Sequence, residues 1–407
     1  MSTARRIVII GAGPAGVGAG LGAKNQDRGA EVILLNDEHG EPYEKPPLSK
    51  AVLTRKAMPE DAPIAGPAGV AGKGIILKSG ARAQAIDREA RVVVTEAGER
   101  IGYDALVIAT GSINRTLPMF PAGDGVHYLR VAPEAMALRA ELERCKSLLV
   151  VGGGLIGLEV AGSAAELGIK TTVVEIAPRI LARVCDEETA AFIHDRHRAH
   201  SVDIRCGTGI TALRRRPEGG YAVEMKDGDT IAADLIVVGV GIVPEDRLAK
   251  AAGLKVRDGI LVDDHCRTSD PAIFAAGDCT RFVGPDGPVR LENWRHGQQH
   301  GAIAGRNAAG GDMVYDVIPS YWSEQYDMYI QGLGWPVTEP QRVRRPLGPN
   351  ATLLFELDGP RLSYVLGINA QREMAAARRL IEKRVPVDAG ELADPAKPLN
   401  AMLKAKA

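Results

Sequence analysis

Two glycine-rich segments carry the spacing G-x-G-x-x-G, and each lies between an apolar strand-like run and an alanine- and glycine-rich helical stretch. They are Gly11-Ala-Gly13-Pro-Ala-Gly16 and Gly152-Gly-Gly154-Leu-Ile-Gly157. These glycines permit a tight turn, close approach of the backbone to a pyrophosphate and close helix–strand packing. The following helix N-terminus offers N–H groups and a positive dipole end to phosphates. Two such segments predict two bound dinucleotides, and therefore an electron-transfer enzyme.

The similarity between the two segments extends beyond their glycines. Residues 98–111 and 228–241 share the same offsets from a glycine to an isoleucine, to an aspartate (Asp104 or Asp234) and to a final glycine. Each predicts a turn, a short strand and a buried apolar strand that returns to the sheet begun at the fingerprint. A repeat of this length predicts two copies of one α/β nucleotide-binding architecture.

Acidic residues indicate which nucleotide each copy holds. Glu175 ends the strand after the second fingerprint, where a carboxylate binds the 2′-hydroxyl of NAD and repels the 2′-phosphate of NADP, so NADH is predicted there. Asp37 is assigned to the matching place in the first copy. Only the first copy also has an apolar run ending in Gly277-Asp278, whose carboxylate suits a ribityl hydroxyl, and a proline-stiffened loop ending in Lys50. FAD, bound non-covalently, is therefore assigned to the first copy.

Composition and charge exclude several other classes. The net charge of −1 gives no basic field for nucleic acid or an anionic membrane, and no apolar stretch approaches the ~20 residues that span a bilayer. The first predicted strand begins at Arg6, which leaves no room for a signal peptide. Five cysteines without metal-type spacing predict a reduced, cytoplasmic protein. His194, His197 and His200 are interpreted as a charged outer helix face, not as a metal site.

Several segments together resemble the FAD-dependent, NADH-linked ferredoxin reductases of bacterial oxygenase systems, of the putidaredoxin-reductase and biphenyl-dioxygenase-reductase type. Besides the fingerprints, the resemblance rests on Pro46-Pro-Leu-Ser-Lys50, Ala109-Thr-Gly111, Ala276-Gly-Asp278 and Trp322-Ser-Glu-Gln-Tyr326. The family usually has Trp-Ser-Asp-Gln-Tyr in the last segment, so Glu324 is a departure. The resemblance runs through the whole chain. It implies an α/β, glutathione-reductase-like fold with two Rossmann-like dinucleotide-binding domains and a small α+β C-terminal domain.

The FAD-binding domain is predicted to be discontinuous, because Gly277-Asp278 completes the first site although it follows the second fingerprint. The predicted domains are 1–112 with 243–320 for FAD, 113–242 for NADH and 321–407 for the C-terminal α+β domain. Two strands and an arginine-rich helix are expected in the last domain, near Thr352–Leu357, Leu362–Ile368 and Ala370–Lys383.

The family resemblance also implies roles for single residues. Lys50 would stabilise reduced flavin, Glu159 would bind the nicotinamide carboxamide, and the two side chains would form an ion pair. Together with the fingerprint residues, FAD contacts are expected at Gly11, Gly13, Ala15, Gly16, Asp37, Lys50, Ala83, Thr110, Gly111, Arg130, Asp278, Trp294 and Trp322. NAD contacts are expected at Gly152, Gly154, Ile156, Gly157, Glu159, Glu175, Arg183 and Gly241.

The cysteine pattern separates the chain from the disulfide reductases of the same fold. Residues 36–50 contain no cysteine, no C-x-x-C occurs, and the last histidine is His300, so thiol chemistry is not expected. Hydride would pass from NADH to FAD, and single electrons would pass to a [2Fe-2S] ferredoxin that feeds a Rieske-type or cytochrome P450 oxygenase. Two alternatives stay open: a flavoprotein resembling apoptosis-inducing factor that signals or docks partners, and an NADH oxidoreductase with another acceptor.

Basic residues near the C-terminus bear on the partner. Between Arg342 and Arg384 there are nine basic residues and four acidic ones. This excess either steers an acidic ferredoxin towards the flavin or is an ordinary solvated helix face. No nucleic-acid or membrane partner is predicted, and the protein is expected to be a monomer or a homodimer. The nine are Arg342, Arg344, Arg345, Arg361, Arg372, Arg378, Arg379, Lys383 and Arg384.

Overall fold

A computed structural model describes residues 4–403, and the chain divides into two compact units. The first unit comprises the residues up to Leu117, Tyr128–Arg139 and Val240–Val317. The second comprises Pro118–His127, Ala140–Gly239 and the residues from Ile318 onward. The outer ends of the predicted domains, residues 1–3 and 404–407, lie outside the described residues, and the division into three domains stays a prediction.

The strands and helices are numbered in chain order. Strands β1 to β9 are Arg6–Ile10, Glu31–Asn36, Ile75–Ser79, Ala83–Asp87, Val92–Thr95, Arg100–Gly102, Ala105–Ile108, Ser112–Asn114 and Val126–His127. Strands β10 to β18 are Ser147–Val151, Lys170–Glu175, Asp203–Cys206, Ile210–Arg215, Tyr221–Met225, Thr230–Ala233, Leu235–Val238, Ile242–Pro244 and Ile260–Leu261. Strands β19 to β26 are Ile273–Ala275, Thr280–Gly284, Gly287–Val289, Ser320–Gln325, Met328–Gly334, Gln341–Gly348, Ala351–Asp358 and Arg361–Ile368.

Helices α1 to α9 are Pro14–Gln26, Ala132–Leu142, Leu155–Glu166, Glu187–Ala199, Arg247–Ala251, Trp294–Ala308, Gln371–Glu382, Ala389–Ala393 and Leu399–Met402. Short 3₁₀ turns occur at Pro46–Ser49, Pro59–Asp61 and Ala71–Lys73. Across residues 4–403, no helix has the length and apolar character that a membrane crossing requires.

Each unit contains a five-stranded parallel sheet with the same spatial arrangement. The order is β19-β7-β1-β2-β3 in the first unit and β9-β16-β10-β11-β12 in the second. Strands β7 and β16 are buried along their whole length, as is usual for strands inside a parallel sheet. The predicted α/β fold with two Rossmann-like copies is confirmed. The two copies differ in their edge strand, since β19 follows the second copy in the sequence whereas β9 precedes β10.

One aspartate in each copy anchors the start of the fingerprint strand. Asp104 accepts a hydrogen bond from the backbone N–H of Arg6 at 2.7 Å. Asp234 accepts hydrogen bonds from the backbone N–H groups of Lys146 and Ser147 at 2.8 and 3.0 Å. These equivalent contacts give a physical reason for the aspartate repeated in the sequence: it ties the returning strand to the first strand of its copy.

Helices α1 and α6 pack backbone against backbone. A Cβ atom on Gly18 or Gly22 of α1 would stand 2.4 or 2.1 Å from a carbonyl oxygen of α6. A Cβ on Gly301 or Gly305 of α6 would stand 2.0 or 1.8 Å from a carbonyl oxygen of α1. At such distances, any residue with a side chain would force the two helices apart. The glycines therefore hold α6, which follows the second copy in the chain, directly against the fingerprint helix of the first.

The end of the second unit is an antiparallel sheet in the order β22-β23-β26-β25-β24. Strands β25 and β26 and helix α7 lie where the sequence predicts two strands and a helix. Helix α7 buries Met374, Ala377 and Leu380, which recur every third residue, in a core shared with Phe355 of β25. The predicted α+β character of this part is confirmed.

Replacing Gly305 with alanine tests the packing of α1 on α6. The added Cβ would overlap the Ala19 carbonyl oxygen, so the helices must separate, at a cost of about 2 kcal/mol in the free energy of unfolding. We expect the thermal midpoint of the Gly305→Ala variant, followed by circular dichroism, to fall by about 5 °C. Gly297→Ala on the same helix is the control, because the nearest atom would be 3.5 Å away. Equal midpoints for the two variants would contradict the packing argument.

Candidate functional site

The first fingerprint lies between β1 and α1. Gly11 has φ of +100°, and a Cβ there would stand 2.3 Å from the Ala109 carbonyl oxygen, so the turn requires glycine. A Cβ on Gly16 would stand 1.7 Å from the Gly11 carbonyl oxygen. A Cβ on Gly13 would meet no atom of the described chain within 4 Å. The protein's own packing therefore requires the first and third glycines, and the second leaves open space beside the helix N-terminus.

The second fingerprint, between β10 and α3, repeats this geometry. Gly152 has φ of +110°, and a Cβ on Gly157 would stand 2.1 Å from the Gly152 carbonyl oxygen. A Cβ on Gly154 would again have no atom of residues 4–403 within 4 Å, apart from its own neighbours in the chain. Each copy thus has a cradle that a side chain would fill, which fits the pyrophosphate of a dinucleotide.

The helix caps point to the same ligand. Helices α1 and α3 begin after Gly13 and Gly154, and within residues 4–403 no side chain caps either of them by a hydrogen bond. Asp186, Asn293 and Asp388 cap α4, α6 and α8, whereas α5, α7 and α9 also have no side-chain cap among the described residues. The first N–H groups of a helix have no partner inside it, and together with the dipole they favour a phosphate.

Glu175, the last residue of β11, is fixed beside the second fingerprint. Its Oε2 accepts a hydrogen bond from the Gly153 N–H at 2.7 Å, and its Oε1 accepts one from the Ala177 N–H at 2.7 Å. The carboxylate is therefore held at the end of the second strand, where dinucleotide-binding folds place the acid that binds the ribose.

The first copy differs at this place. The strand registers align Asn36, the last residue of β2, with Glu175, the last residue of β11. The predicted correspondence of Asp37 with Glu175 is therefore wrong by one residue, because β2 ends before Asp37, which is exposed. The Asn36 carbonyl accepts a hydrogen bond from the Ala81 N–H at 2.7 Å, which brings the start of β4, with Ala83, near this strand end. The FAD contacts of Asp37 and Ala83 stay predictions.

Asp278 and Arg130, both predicted FAD residues, form an ion pair in the first unit. The Arg130 guanidinium donates to Asp278 Oδ2 at 2.9 Å, and the Ser112 hydroxyl donates to the same oxygen at 2.9 Å. Thr110 and Gly111 lie in the connection between β7 and Ser112. The carboxylate that the sequence assigns to the ribityl chain is thus oriented by two donors.

The proline-rich loop carries two lysines. Pro46–Ser49 form a 3₁₀ turn, and the N–H of the half-buried Lys50 donates to a carbonyl of this turn at 3.1 Å. Lys45 pairs with Glu38 at 3.0 Å. Burial lowers the pKa of Lys45, the Glu38 carboxylate opposes that shift, and the positive charge of Arg130 adds to it. Lys45 and Arg130 are thus each paired with a carboxylate of the first unit, Glu38 and Asp278.

The tryptophans and the predicted Lys50–Glu159 pair are divided between the units. Trp294 opens α6 in the first unit. Burial raises the pKa of Glu44, and a hydrogen bond from Trp294 opposes that shift. Trp322 lies on β22 in the second unit, which also holds Glu159, whereas Lys50 belongs to the first. The Lys50–Glu159 ion pair and the flavin contacts of both tryptophans stay predictions.

The predicted NAD residues differ in their surroundings. Ile156, at the start of α3, is 49% exposed although it is a large apolar residue. Glu159, one turn further along, is 4% exposed and accepts a hydrogen bond from the Ser323 hydroxyl at 2.6 Å. Arg183 is exposed between β11 and α4. Gly241 has φ of +108° and belongs to the first unit. The contacts of these residues with NAD stay predictions.

The histidine face of α4 is only in part the solvated surface that the spacing predicts, since His200 is exposed and His194 is half-buried. His197 is fully buried, with its Nε2 2.9 Å from Gln325 Oε1. Burial lowers the pKa of His197 to about 4, although the hydrogen bond with Gln325 opposes that shift. His200 stacks on Tyr326 with ring centroids 3.8 Å apart. The prediction was wrong for His197 because β22, far away in the sequence, packs against this helix.

Part of the basic excess near the C-terminus is engaged by the protein itself. Arg345 is 2% exposed and donates to backbone carbonyls, so it is not a surface charge. Arg344 pairs with Asp186 at 2.7 Å, and Arg378 donates to the Ser320 hydroxyl at 3.2 Å. The exposed charge is therefore smaller than the sequence count suggests. The exposed members are Arg342, Arg361, Arg372, Arg379, Lys383 and Arg384.

All five cysteines are free thiols in environments that disfavour the thiolate. Burial raises the pKa of Cys145, Cys185 and Cys279 to about 11. Burial also raises the pKa of Cys206 and Cys266. Because the thiolate is the reactive form, these thiols are poor nucleophiles near neutral pH. This supports the expectation that no cysteine relays electrons.

Three residues with direct links to the predicted site were missed by sequence reasoning. They are Lys45, Ser112 and Ser323, and each lies within or beside a segment already singled out. Lys45 could have been noticed as a cation inside the proline-rich loop. Ser112 and Ser323 could have been noticed as hydroxyl residues directly after Gly111 and Trp322.

Alkylation at different pH values tests the thiol environments. Since burial raises the pKa of every cysteine, the native protein at pH 8 contains far less thiolate than an unfolded chain with thiols of pKa ~8.5. We expect iodoacetamide to modify the native protein about a hundredfold more slowly than the guanidinium-unfolded protein, as measured by intact-mass spectrometry. The native rate should rise as the pH approaches 11. Rapid native modification at pH 7 would contradict this assignment.

Comparison with known proteins covers both parts of the chain. The family model of the pyridine nucleotide-disulphide oxidoreductases matches residues 5–301, and a reductase C-terminal model matches residues 320–403. The ferredoxin–NAD(+) reductase component of the anthranilate 1,2-dioxygenase system from Burkholderia cepacia is 38% identical over 401 residues. This alignment covers 97% of this chain and 98% of that protein.

Two solved structures are similar over almost their whole length. The reductase in the covalent putidaredoxin reductase–putidaredoxin complex has a TM-score of 0.92 at 33% identity, with 98% of both chains covered. The ferredoxin reductase for the CYP199A2 system from Rhodopseudomonas palustris has a TM-score of 0.92 at 32% identity, with 99% of this chain and 100% of that chain covered. The resemblance inferred from the sequence is therefore confirmed, and the chain belongs to the pyridine nucleotide-disulphide oxidoreductase family, with a reductase C-terminal domain.

Proposed function

We infer that the protein is an NADH-dependent FAD enzyme that passes single electrons to a [2Fe-2S] ferredoxin, which in turn serves a terminal oxygenase. The observation that carries this inference is the pair of dinucleotide cradles in a chain whose five cysteines are all free and none of them exposed. One cradle suits the donor and the other suits the flavin. Without a reactive thiol among the five cysteines, the acceptor is an external carrier. The names of the similar reductases support a ferredoxin as that carrier.

Residues of the first copy would hold FAD. The open space at Gly13 and the N-terminus of α1 would accept the pyrophosphate. Asp278, held by Arg130, would accept a hydrogen bond from the ribityl chain. The chemistry that FAD supplies when bound is acceptance of a hydride and separate release of its two electrons. Lys50 would stabilise the negative charge of the reduced state.

Residues of the second copy would hold NADH. The open space at Gly154 and the N-terminus of α3 would accept its pyrophosphate. Glu175 would accept a hydrogen bond from the ribose 2′-hydroxyl, and its charge opposes the 2′-phosphate of NADPH. Glu159 would accept a hydrogen bond from the carboxamide and so orient the nicotinamide ring, which is the protein's main contribution to hydride transfer.

The surface charge and the cysteines bear on the partner and on the compartment. Arg372 and Arg379 of α7, with Lys383 and Arg384 after it, are exposed and suit an acidic ferredoxin. Five free cysteines suit a reducing compartment, so we propose that the protein works in the cytoplasm.

Replacing Glu175 with alanine tests the nucleotide preference. Loss of the carboxylate removes an acceptor for the 2′-hydroxyl and a repulsive charge against a 2′-phosphate. We expect kcat/KM to fall about tenfold for NADH and to rise about tenfold for NADPH, each change being the scale of one charged hydrogen bond. Glu218→Ala, at an exposed position in the turn between β13 and β14, should change neither value. An unchanged ratio in Glu175→Ala would contradict the role of this carboxylate.

Anaerobic stopped-flow mixing of the FAD-loaded enzyme with NADH tests the function itself. We expect NADH to bleach the visible flavin absorbance, and the bleached enzyme to reduce two molecules of a [2Fe-2S] ferredoxin per NADH oxidised. Lys50→Met should slow the bleaching about a hundredfold while FAD stays bound, because a neutral side chain cannot stabilise the developing negative charge.

Three outcomes of that experiment would contradict the proposal. A yellow protein that NADH does not bleach would exclude NADH as the donor. Bleaching without reduction of ferredoxin would exclude the acceptor. Equal bleaching rates in Lys50→Met and in the control Lys73→Met, which changes an exposed lysine, would exclude the role of Lys50.

A further inference from the structure

A line of polar side chains runs through the second unit and ends at Glu159. The Tyr326 hydroxyl lies 3.1 Å from His197 Nδ1, and His197 Nε2 lies 2.9 Å from Gln325 Oε1. Gln325 Nε2 lies 3.1 Å from Ser323 Oγ, which lies 2.6 Å from Glu159 Oε1. Ser323, Gln325 and His197 are each at most 2% exposed. Buried polar groups linked in this way form a continuous hydrogen-bond chain.

One arrangement of hydrogens satisfies every link of the chain. Ser323 donates its single hydroxyl hydrogen to Glu159 Oε1, so its oxygen accepts from the Gln325 amide. Gln325 Oε1 then accepts from His197 Nε2–H, and His197 Nδ1 accepts from the Tyr326 hydroxyl. This arrangement needs a neutral imidazole, and burial lowers the pKa of His197 to about 4. Every donor in the chain therefore points towards the Glu159 carboxylate.

Strand β22 supplies the central members of this chain. Ser323 and Gln325 are two residues apart and share one face of the strand, whereas Glu324 points to the other side and is exposed. The Tyr326 ring packs over Gly162 of α3, where a Cβ would stand 3.6 Å from it. The departure from the family segment at Glu324 thus lies away from the chain of hydrogen bonds.

We propose that Ser323 is a positioning residue that fixes the orientation of the Glu159 carboxylate for the nicotinamide carboxamide. The inference rests on the proposed function, because it takes Glu159 as the partner of the carboxamide. A carboxylate held on one oxygen by a hydroxyl loses its freedom to rotate, so less entropy is lost when the ligand binds. Gln325 and His197 keep the Ser323 hydroxyl in its donating direction. The C-terminal sheet thereby takes part in recognition of the nicotinamide.

Calorimetric titration of the oxidised holoenzyme with NAD+ and with ADP-ribose tests the proposal. ADP-ribose keeps the adenosine, the pyrophosphate and the second ribose but lacks the nicotinamide. We expect Ser323→Ala to weaken NAD+ binding about tenfold, the scale of a lost hydrogen bond to a charged group, and to leave the Kd of ADP-ribose unchanged. Gln325→Met, which removes the donor to Ser323, should weaken NAD+ binding with the same selectivity.

Ser363→Ala is the matched control. Ser363 lies on β26 of the same sheet and donates its hydroxyl to the Trp335 carbonyl at 2.7 Å, so its loss should change neither Kd. Equal weakening of both ligands in Ser323→Ala would overturn the positioning role, and so would an unchanged Kd for NAD+. A wild-type enzyme that binds neither ligand would instead overturn the proposed function, and the inference with it.

Discussion

The close packing of α1 on α6 is the constraint on which the FAD site depends. Glycines on both helices let their backbones touch, so residues 294–308 lie against the helix that follows the first fingerprint. Trp294 is the first residue of α6, and β19 and Asp278 precede this helix closely in the sequence. The packing of α6 on α1 therefore also brings these residues to the first unit. Asp278 and Trp294, two of the residues that the sequence assigns to FAD, are therefore brought from a distant part of the chain into the unit that holds the first fingerprint.

The sequence was sufficient to predict those parts of the fold in which a local sequence pattern is repeated. The fingerprints, the apolar strands and the paired aspartates Asp104 and Asp234 predicted two α/β copies, because each pattern follows from short-range packing and hydrogen bonding. Strand β9 has only two residues, which is too short for a periodic pattern. The end of β2 was misplaced by one residue because pairing with its neighbours decides where a strand ends, and counting from the glycines does not.

The same distinction applies to the site. Asp278 and Glu175 could be proposed as ligand-binding residues because Glu175 ends a buried strand and Asp278 follows one, and their ligand contacts stay predictions. Ser323 stands next to Trp322 and His197 belongs to a regular histidine spacing, but their contacts could not be predicted because they join elements that are remote in the chain. His197 forms a hydrogen bond with Gln325, which lies 128 positions away in the sequence. The spacing of the histidines says nothing about this contact and by itself is typical of a solvated helix face. Arg345 likewise belongs to a run of surface-like charges but is buried against backbone carbonyls.

The origin of the edge strands sets the order in which the two sheets can be completed on the ribosome. The parallel sheet of the second unit has all five strands once Val238 has been synthesised, because its edge strand β9 is made before β10. The parallel sheet of the first unit still lacks β19 at that moment, because β19 ends at Ala275. Helix α6, which packs on α1 through glycines, is complete only at Ala308. The parallel sheet of the second unit can therefore have all its strands while that of the first still lacks one. Strands β23, β25 and β26, which form a core with α3 and α4 in the second unit, are synthesised after both parallel sheets.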